Sequence, residues 1–130
     1  MISQQSRLLK TEKVMALVDS WGITAEQKIF LLGLPDNLRT RKLEKFRQSE
    51  PFPDIESVNQ HVSHLLGISD ALRTTYPRNS EMGGIWMKQK HKRFNNNPPL
   101  AVMLEKGLKG IIQVRAFLDC TFAWDSSGSV

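Results

Sequence analysis

One pair of residues stands at a metal-binding spacing: His61 and His64 lie three positions apart in a stretch with helical periodicity. Imidazole nitrogens at positions i and i+3 share one side of a helix and are common ligands of transition metals. A metal centre would also need a third ligand at a definable spacing, and the sequence offers none. We therefore interpret both histidines as surface or boundary residues.

No arrangement typical of an enzyme occurs in the sequence. The pair Gly83-Gly84 lacks the spacing of Walker and dinucleotide-binding loops, and no nucleophile elbow, zincin motif or paired-carboxylate motif is found. Cys120 is the single cysteine, so an intrachain disulfide and a cysteine-based zinc site are excluded, and we interpret it as a small buried hydrophobe. We predict a protein that is not an enzyme and uses no cofactor, metal or small-molecule substrate.

A basic and aromatic segment in the last third of the chain is the strongest indication of macromolecular recognition. No acidic residue interrupts it between Trp86 and Phe94. Such a segment could contact phosphates or an acidic groove on a partner protein, and the flanking aromatics favour a protein. The alternative is that the aromatics are core and the lysines solvated, and for Trp86 we favour the core. The basic members are Lys88, Lys90, His91, Lys92 and Arg93.

A second basic region follows a short helix and a glycine-containing turn, between Thr24 and Gln48. A helix-turn-helix needs a first helix of about two turns, a tight turn, and a second helix whose polar and basic groups enter the major groove. Residues 36–48 hold five basic and two acidic groups. A solvated basic face on a bundle helix fits the spacing equally well. The candidates for DNA binding are Asn37, Arg39, Thr40, Arg41, Lys42 and Lys45.

The composition limits the class of protein. The chain has 130 residues, of which 40% are hydrophobic and 24% charged, as is ordinary for one compact domain or two small lobes. The net charge of +5 favours an acidic partner, either nucleic acid or protein. The first ten residues lack the apolar stretch of a signal peptide, and no apolar run approaches the ~20 residues of a membrane span. We predict a soluble cytoplasmic protein without a membrane partner.

Helical periods and helix caps follow one another along the chain, so we predict an all-α fold. Thr24 and Gln27 form a capping-box pattern at the start of the second helix. Pro51-Phe52-Pro53 disfavours helix and is the best linker candidate. Helices are predicted up to Gly22, at residues 25–32, from Asp36 or Asn37 to about 48, from 54 to 76, from 80 to about 92, from 98 to 107, and from about 109 to 123.

The second half of the chain resembles the toxin-binding domain of the Xre/MbcA/ParS-type antitoxins. That family has a Trp-containing helix, a loop with an aromatic and Asn or Gly, a Pro-Leu pair, a helix ending in Gly, and a final helix rich in Val and Leu. In WMKQKHKRFNNNPPLAVMLEKGLKGIIQVRAFLD these features fall at Trp86, at Phe94 with Asn95 to Asn97, at Pro99-Leu100, at Gly107, and at Val114 to Leu118. The preceding stretch HVSHLLGISDALRTTYP is similar to the family's previous helix, at Ile68, Leu72 and Tyr76-Pro77.

The first half resembles the Xre-like helix-turn-helix of the same family more loosely. The stretch WGITAEQKIFLLGLP matches a second helix that ends in Leu-Leu-Gly and an apolar residue. It departs from the pattern at Ile29, where such motifs usually place a small residue, and at Arg39, which falls near a position that is normally buried. The resemblance to a DNA-binding module is therefore weaker than the resemblance to the toxin-binding domain.

The resemblance implies a bacterial type II antitoxin that folds as a helical homodimer. Such a protein binds a cognate toxin, usually one with a RES-type domain that consumes NAD, and its C-terminal region occludes the toxin's active site. It often also binds operator DNA and represses its own operon. The candidates for toxin binding are Lys88, Lys90, Lys92, Arg93, Phe94, Asn95, Asn96 and Trp124.

The predicted organisation is an Xre-like helix-turn-helix lobe over residues 1–50, a toxin-binding domain over residues 54–124 and a flexible tail over residues 125–130. The rival hypothesis is a helix-turn-helix transcriptional regulator without a toxin partner. A small enzyme of unrecognised type is a third hypothesis, which no motif supports. A RES-like gene next to this one would favour the antitoxin over both.

Overall fold

The computed structural model describes the backbone of residues 4–79 and 81–126 and the side chains of residues 5–79 and 81–120. Over this part of the chain the protein is all-α, as predicted, and contains no strand. A short 3-10 helix, Lys92–Phe94, accompanies the α-helices. These are α1 (Gln4–Asp19), α2 (Ala25–Leu32), α3 (Lys42–Gln48), α4 (Glu56–Thr75), α5 (Glu81–Lys88), α6 (Pro99–Lys106) and α7 (Leu108–Ser126).

The chain divides into two compact units, Met1–Leu66 and Gly67–Val130, which we call unit 1 and unit 2. The division falls inside α4, whereas the sequence suggested a linker at Pro51-Phe52-Pro53. The central residue of that segment, Phe52, belongs to the core of unit 1. Phe52 is only 3% exposed, its ring lies 5.0 Å from that of Phe46, and its N–H donates to Oγ1 of Thr11. The linker prediction was wrong because prolines exclude a helix without preventing the residue between them from being buried.

The core of unit 1 is formed by apolar residues at helical spacing. In α1 the buried residues recur every three or four positions, and α1 packs on α3 through Leu43 and Phe46. Trp21, just beyond α1, is 1% exposed and belongs to the same core. The buried apolar side chains of α1 are Val14, Met15 and Val18.

Local signals in the sequence define both ends of α2. Oγ1 of Thr24 accepts from the N–H of Gln27, and Oε1 of Gln27 accepts from the N–H of Thr24, which confirms the predicted capping box. Gly33 ends the helix in the left-handed region with φ +72, and Leu34 donates back to the Ile29 carbonyl. A Cβ at Gly33 would lie 2.7 Å from the Ser57 carbonyl oxygen. Both the positive φ and this lack of space therefore require glycine at the position.

Helix α3 begins at Lys42, six residues later than Asp36, so the predicted start was wrong. The N–H of Leu38 donates to the Pro35 carbonyl, which turns the chain through Asp36 and Asn37. Asp and Asn are good turn residues as well as good helix caps, and here the turn is formed. Residues 33–41, nine in all, therefore separate α2 from α3. A helix-turn-helix joins its two helices through about three to four residues.

In unit 2, α6 packs on both α5 and α7. Pro99 occupies the first turn of α6 and Gly107 ends it, as predicted. Gly110 permits the close approach of α7 to α6, because a Cβ there would lie 2.5 Å from the Val102 carbonyl oxygen. The buried side chains of these helices include Met87, Leu100, Met103, Ile111, Val114 and Leu118.

Two helix ends in unit 2 differ from the prediction. Helix α5 stops at Lys88 rather than near Lys92, because the backbone of His91 is extended and pairs with Asn97. Helix α7 continues to Ser126, so the first two residues of the predicted tail are helical. The rest of that tail, residues 127–130, lies outside the described residues.

Candidate functional site

The segment from residue 88 to residue 97, here called the basic loop, closes on itself through its own backbone. The N–H of His91 donates to the Asn97 carbonyl at 3.3 Å, and the N–H of Asn96 donates to the His91 carbonyl at 2.9 Å. Asn95 and Asn96 lie at φ +55 and +65, a left-handed conformation that asparagine accepts more readily than most residues. The loop is therefore a folded turn and not an extended strap.

Four aromatic rings, which we call the aromatic cluster, hold the basic loop against α5 and α7. Phe117 lies at the centre: its ring centroid is 5.3 Å from that of Phe94, 5.9 Å from that of Trp86 and 6.1 Å from that of His91. His91 and Trp86 are in contact at 4.9 Å, and a ring nitrogen of His91 lies 3.3 Å from the Trp86 carbonyl oxygen. The cluster therefore connects the loop to two helices.

Trp86 and Phe94 lie at the boundary between core and surface. Both are half-buried, so the expectation that Trp86 belongs to the core was only partly right. Each packs one side on Phe117 and keeps part of its surface in solvent. Phe94 can thus contribute to a partner surface while it also anchors the loop.

The cations of the basic loop are exposed to solvent. Lys88, Lys90 and Lys92 are exposed and form no ion pair with any side chain that the structure describes. Arg93 is also exposed, and its guanidinium lies 5.6 Å from the centroid of Phe117, in a cation–π contact. The loop therefore presents a positively charged surface, and no acidic side chain among the described residues pairs with its lysines.

The remaining toxin-binding candidates fall into two groups. Asn95 and Asn96 are exposed at the tip of the basic loop, and their amides form no hydrogen bond within the described residues. Trp124 belongs to the last turns of α7, but its side chain lies outside the described residues.

Beside the basic loop lies a cavity of 670 Å³, here called the groove, between the loop, α6 and α7. Phe94 and Phe117 contribute the aromatic part of its lining, and Val102 and Ala116 the aliphatic part. Arg93 and Lys106 bring positive charge, and Glu105 brings a single negative one. The other lining residues are Asn95, Asn97, Gln113 and Cys120.

Sequence reasoning missed most of the groove. It predicted Cys120 to be buried, but Cys120 is exposed. Ile111, Val114 and Leu118 form the buried face of α7, and a residue two positions after Leu118 lies on the opposite side. The helical period was the signal that could have predicted the exposure of Cys120.

The DNA-binding candidates lie mainly in the connection before α3 and not on a helix. Asn37, Arg39, Thr40 and Arg41 are exposed there, while Lys42 begins α3 and Lys45 lies in its last turn. Nζ of Lys42 is 2.6 Å from a carboxylate oxygen of Glu50. Arg39, Arg41 and Lys45 form no ion pair with any described side chain.

The two histidines of α4 do not form a metal centre with other described residues. His61 is 9% exposed, and its Nδ1 lies 2.8 Å from the Leu31 carbonyl oxygen, which ties α4 to the end of α2. No cluster of His, Cys, Asp and Glu side chains suited to a metal ion occurs among the residues described. Across the same residues, no helix has both the length and the apolar character needed to cross a membrane.

Comparison with known proteins adds one relative. The chain is 29% identical over 108 residues to the uncharacterized protein y4oB of Sinorhizobium fredii. The match covers 83% of this chain and 80% of that protein, so both units take part in it. No family model matches the chain.

Proposed function

We propose that this protein is a bacterial type II antitoxin, whose partner is a RES-type toxin that consumes NAD. The observation that carries the proposal is the basic loop: a folded, aromatic-anchored turn that exposes three uncompensated lysines and two asparagines. A rigid turn loses little conformational entropy on binding, which favours affinity. The resemblance of residues 54–122 to the toxin-binding domain of Xre/MbcA/ParS-type antitoxins supplies the partner class.

Inhibition would occur by occlusion. Aromatic anchors near the centre of an interface carry much of the binding energy, whereas lysines at its edge mainly raise the association rate. In this scheme the anchors are Phe94 in the basic loop and Trp124 in α7. Lys88, Lys90 and Lys92 lie at the edge of the interface. An inhibitor that covers an active-site entrance needs no catalytic residue of its own.

Co-expression of the full chain with an adjacent RES-like reading frame tests the proposal. We expect rescue of growth and of cellular NAD by the wild type. Phe94→Ala and Trp124→Ala should each weaken the purified complex by ~2 kcal/mol, and Lys90→Ala by less than ~1 kcal/mol. Trp86→Ala should lower the thermal unfolding midpoint as well, because Trp86 contacts both His91 and Phe117. Growth arrest that persists with the wild-type chain would contradict the proposal.

DNA binding is the second part of the proposal, and its support is the group of exposed cations that includes Arg39, Arg41 and Lys45. In this scheme the protein represses its own operon through phosphate contacts. The rival function, a DNA-binding regulator without a toxin partner, rests on the same cations. A mobility shift on the upstream operator, measured with and without the toxin, separates the two. The rival predicts that the shift occurs while no complex with the toxin forms.

A further inference from the structure

The groove beside the basic loop has the size and the chemistry of a peptide-binding site. Its 670 Å³ falls within the range of ~300–1,000 Å³ that is usual for ligand pockets. The basic loop, α6 and α7 each contribute both apolar and polar or charged side chains to its lining. Sites of this kind take an apolar group and orient it through a few polar contacts.

We propose that the groove binds an acidic segment of the partner protein that carries one large apolar side chain. This inference rests on the proposed function, because it names the part of the toxin that the protein would hold. The apolar side chain would lie against Phe117, Val102 and Ala116. Carboxylates on either side of it would face Arg93 and Lys106.

Charge is the reason for an acidic occupant. Residues 67–130 contain nine basic and five acidic side chains, whereas residues 1–66 contain nine and eight. Two of the nine basic residues of unit 2 line the groove, and Lys92 adjoins Arg93 in the chain. Like charges placed together at an interface cost several kcal/mol, so a basic segment would be rejected.

The aromatic geometry favours a peptide over single-stranded nucleic acid. Stacking of bases needs ring faces that are open to solvent. Phe117 has Trp86 stacked at 26° and 5.9 Å, and the guanidinium of Arg93 at 5.6 Å. The ring of Phe94 lies at 87° to that of Phe117 with 5.3 Å between their centroids, so Phe117 has neighbours on several sides. The groove is also lined by the aliphatic side chains of Val102 and Ala116, which suit an aliphatic or aromatic side chain better than a nucleotide.

The test uses the full-length protein and three synthetic peptides: a Glu-rich peptide with one central Trp, its Lys-rich counterpart, and the Glu-rich peptide with Ala for Trp. Cys120 lines the groove and is the single cysteine, so the rate of its alkylation by a neutral maleimide reports occupancy. We expect the first peptide to slow alkylation at least threefold. Equal protection by all three, or stronger protection by a single-stranded oligonucleotide, would overturn the proposal.

Two pairs of variants locate the binding. Lys106→Glu should weaken binding of the first peptide at least tenfold, because the reversed charge faces its carboxylates. Lys109→Glu is the matched control, since Lys109 is exposed, carries the same charge and does not line the groove. Ala116→Trp should fill the groove and abolish protection. Ile112→Trp, one turn away on α7 and outside the groove, should not. Equal effects within either pair would overturn the proposal.

The same variants distinguish this inference from the antitoxin function. If the wild type binds the toxin and both Lys106→Glu and Ala116→Trp bind it equally well, the groove proposal fails while the antitoxin function stands. If the groove variants lose the Glu-rich peptide but no toxin binds the wild type, the antitoxin function fails and the groove remains a site for acidic segments.

Discussion

The carboxylate of Asp19 accepts two hydrogen bonds from the guanidinium of Arg47, from Nε at 2.7 Å and from Nη2 at 2.9 Å. The pair joins the end of α1 to α3, and Nζ of Lys28 on α2 lies 2.8 Å from the same carboxylate. Three helices of unit 1 thus meet at one partly buried acid. Arg47 is one of the five basic residues between positions 36 and 48, and its charge is used within the fold.

This ion cluster predicts how stability depends on pH. The hydrogen bond from Arg47 lowers the pKa of Asp19, with Lys28 contributing in the same direction against the opposing effect of burial. A carboxyl whose folded pKa is lowered stabilises the fold above its unfolded pKa, and that contribution is lost as the pH falls through the folded pKa. We therefore expect stability to decline as the pH falls below about 4, which is close to the pKa of an unperturbed aspartate.

Asp19→Asn measures the contribution of the cluster. At pH 7 the substitution should lower the free energy of unfolding by about 2 kcal/mol, because it leaves Arg47 and Lys28 without their anion. The difference from the wild type should shrink as the pH falls below about 4. Asp70→Asn is the control: its pair with Arg73 is on the surface and should contribute less than about 0.5 kcal/mol. A pH-independent effect of Asp19→Asn would exclude a charge-based role.

Glycine substitutions should have opposite effects in the two units. Gly33→Ala should destabilise unit 1 by at least about 2 kcal/mol, because φ is +72 and the new Cβ would press on the Ser57 carbonyl and His61. Gly83→Ala should stabilise α5 by about 0.5–1 kcal/mol, since its Cβ would meet Leu72 at ordinary contact distances. Thermal unfolding followed by circular dichroism compares the two. The account of Gly33 is wrong if Gly33→Ala matches the wild type.

The salt dependence of DNA binding should separate free cations from paired ones. Arg39→Ala, Arg41→Ala and Lys45→Ala should each reduce the slope of log K against log salt by about one, if each contacts a phosphate. Lys42→Ala should reduce it less, because Glu50 already neutralises that charge. Lys13 on α1 is exposed and outside this region, so Lys13→Ala serves as the control. If all variants have the same slope of log K against log salt, the DNA contact lies elsewhere on the protein.

Asn95 and Asn96 offer a separate test of side-chain recognition by the toxin. Glycine accepts their left-handed backbone without strain, so Asn95→Gly and Asn96→Gly remove the amides while the loop conformation is retained. If the amides contact the toxin, the affinity should fall about fivefold to tenfold, the value of one neutral hydrogen bond. Asn95→Val should reduce binding further by straining the loop itself. Glycine variants that bind like the wild type would limit the role of these residues to the backbone.

The features that the sequence predicted correctly depend on neighbours in the chain. The capping box of Thr24 and Gln27, the end of α2 at Gly33 and the end of α6 at Gly107 each involve residues within about four positions. The all-α fold follows from the same local periods. The exposure of the lysines in the basic loop was also predictable, because a long cation without an acid nearby stays in water.

The features that the sequence did not predict depend on contacts across long stretches of chain. A turn at Asp36 and Asn37 and a helix cap at the same residues were two outcomes of one local pattern, and the cap signals did not choose between them. The turn forms, and α3 begins only at Lys42. The burial of Phe52 needs a hydrogen bond to Thr11, 41 residues away, and a ring contact with Phe46.

By itself, the sequence determined that the chain is helical, where most of its caps lie and which segment is basic, because backbone propensity and charge are properties of short stretches. Only the tertiary structure decided which cations are neutralised and which surround a groove. Arg47 meets Asp19 across 28 residues, and Phe117 gathers Trp86, His91 and Phe94 around the basic loop. Such pairings depend on how whole helices pack, which no local pattern of residue types specifies.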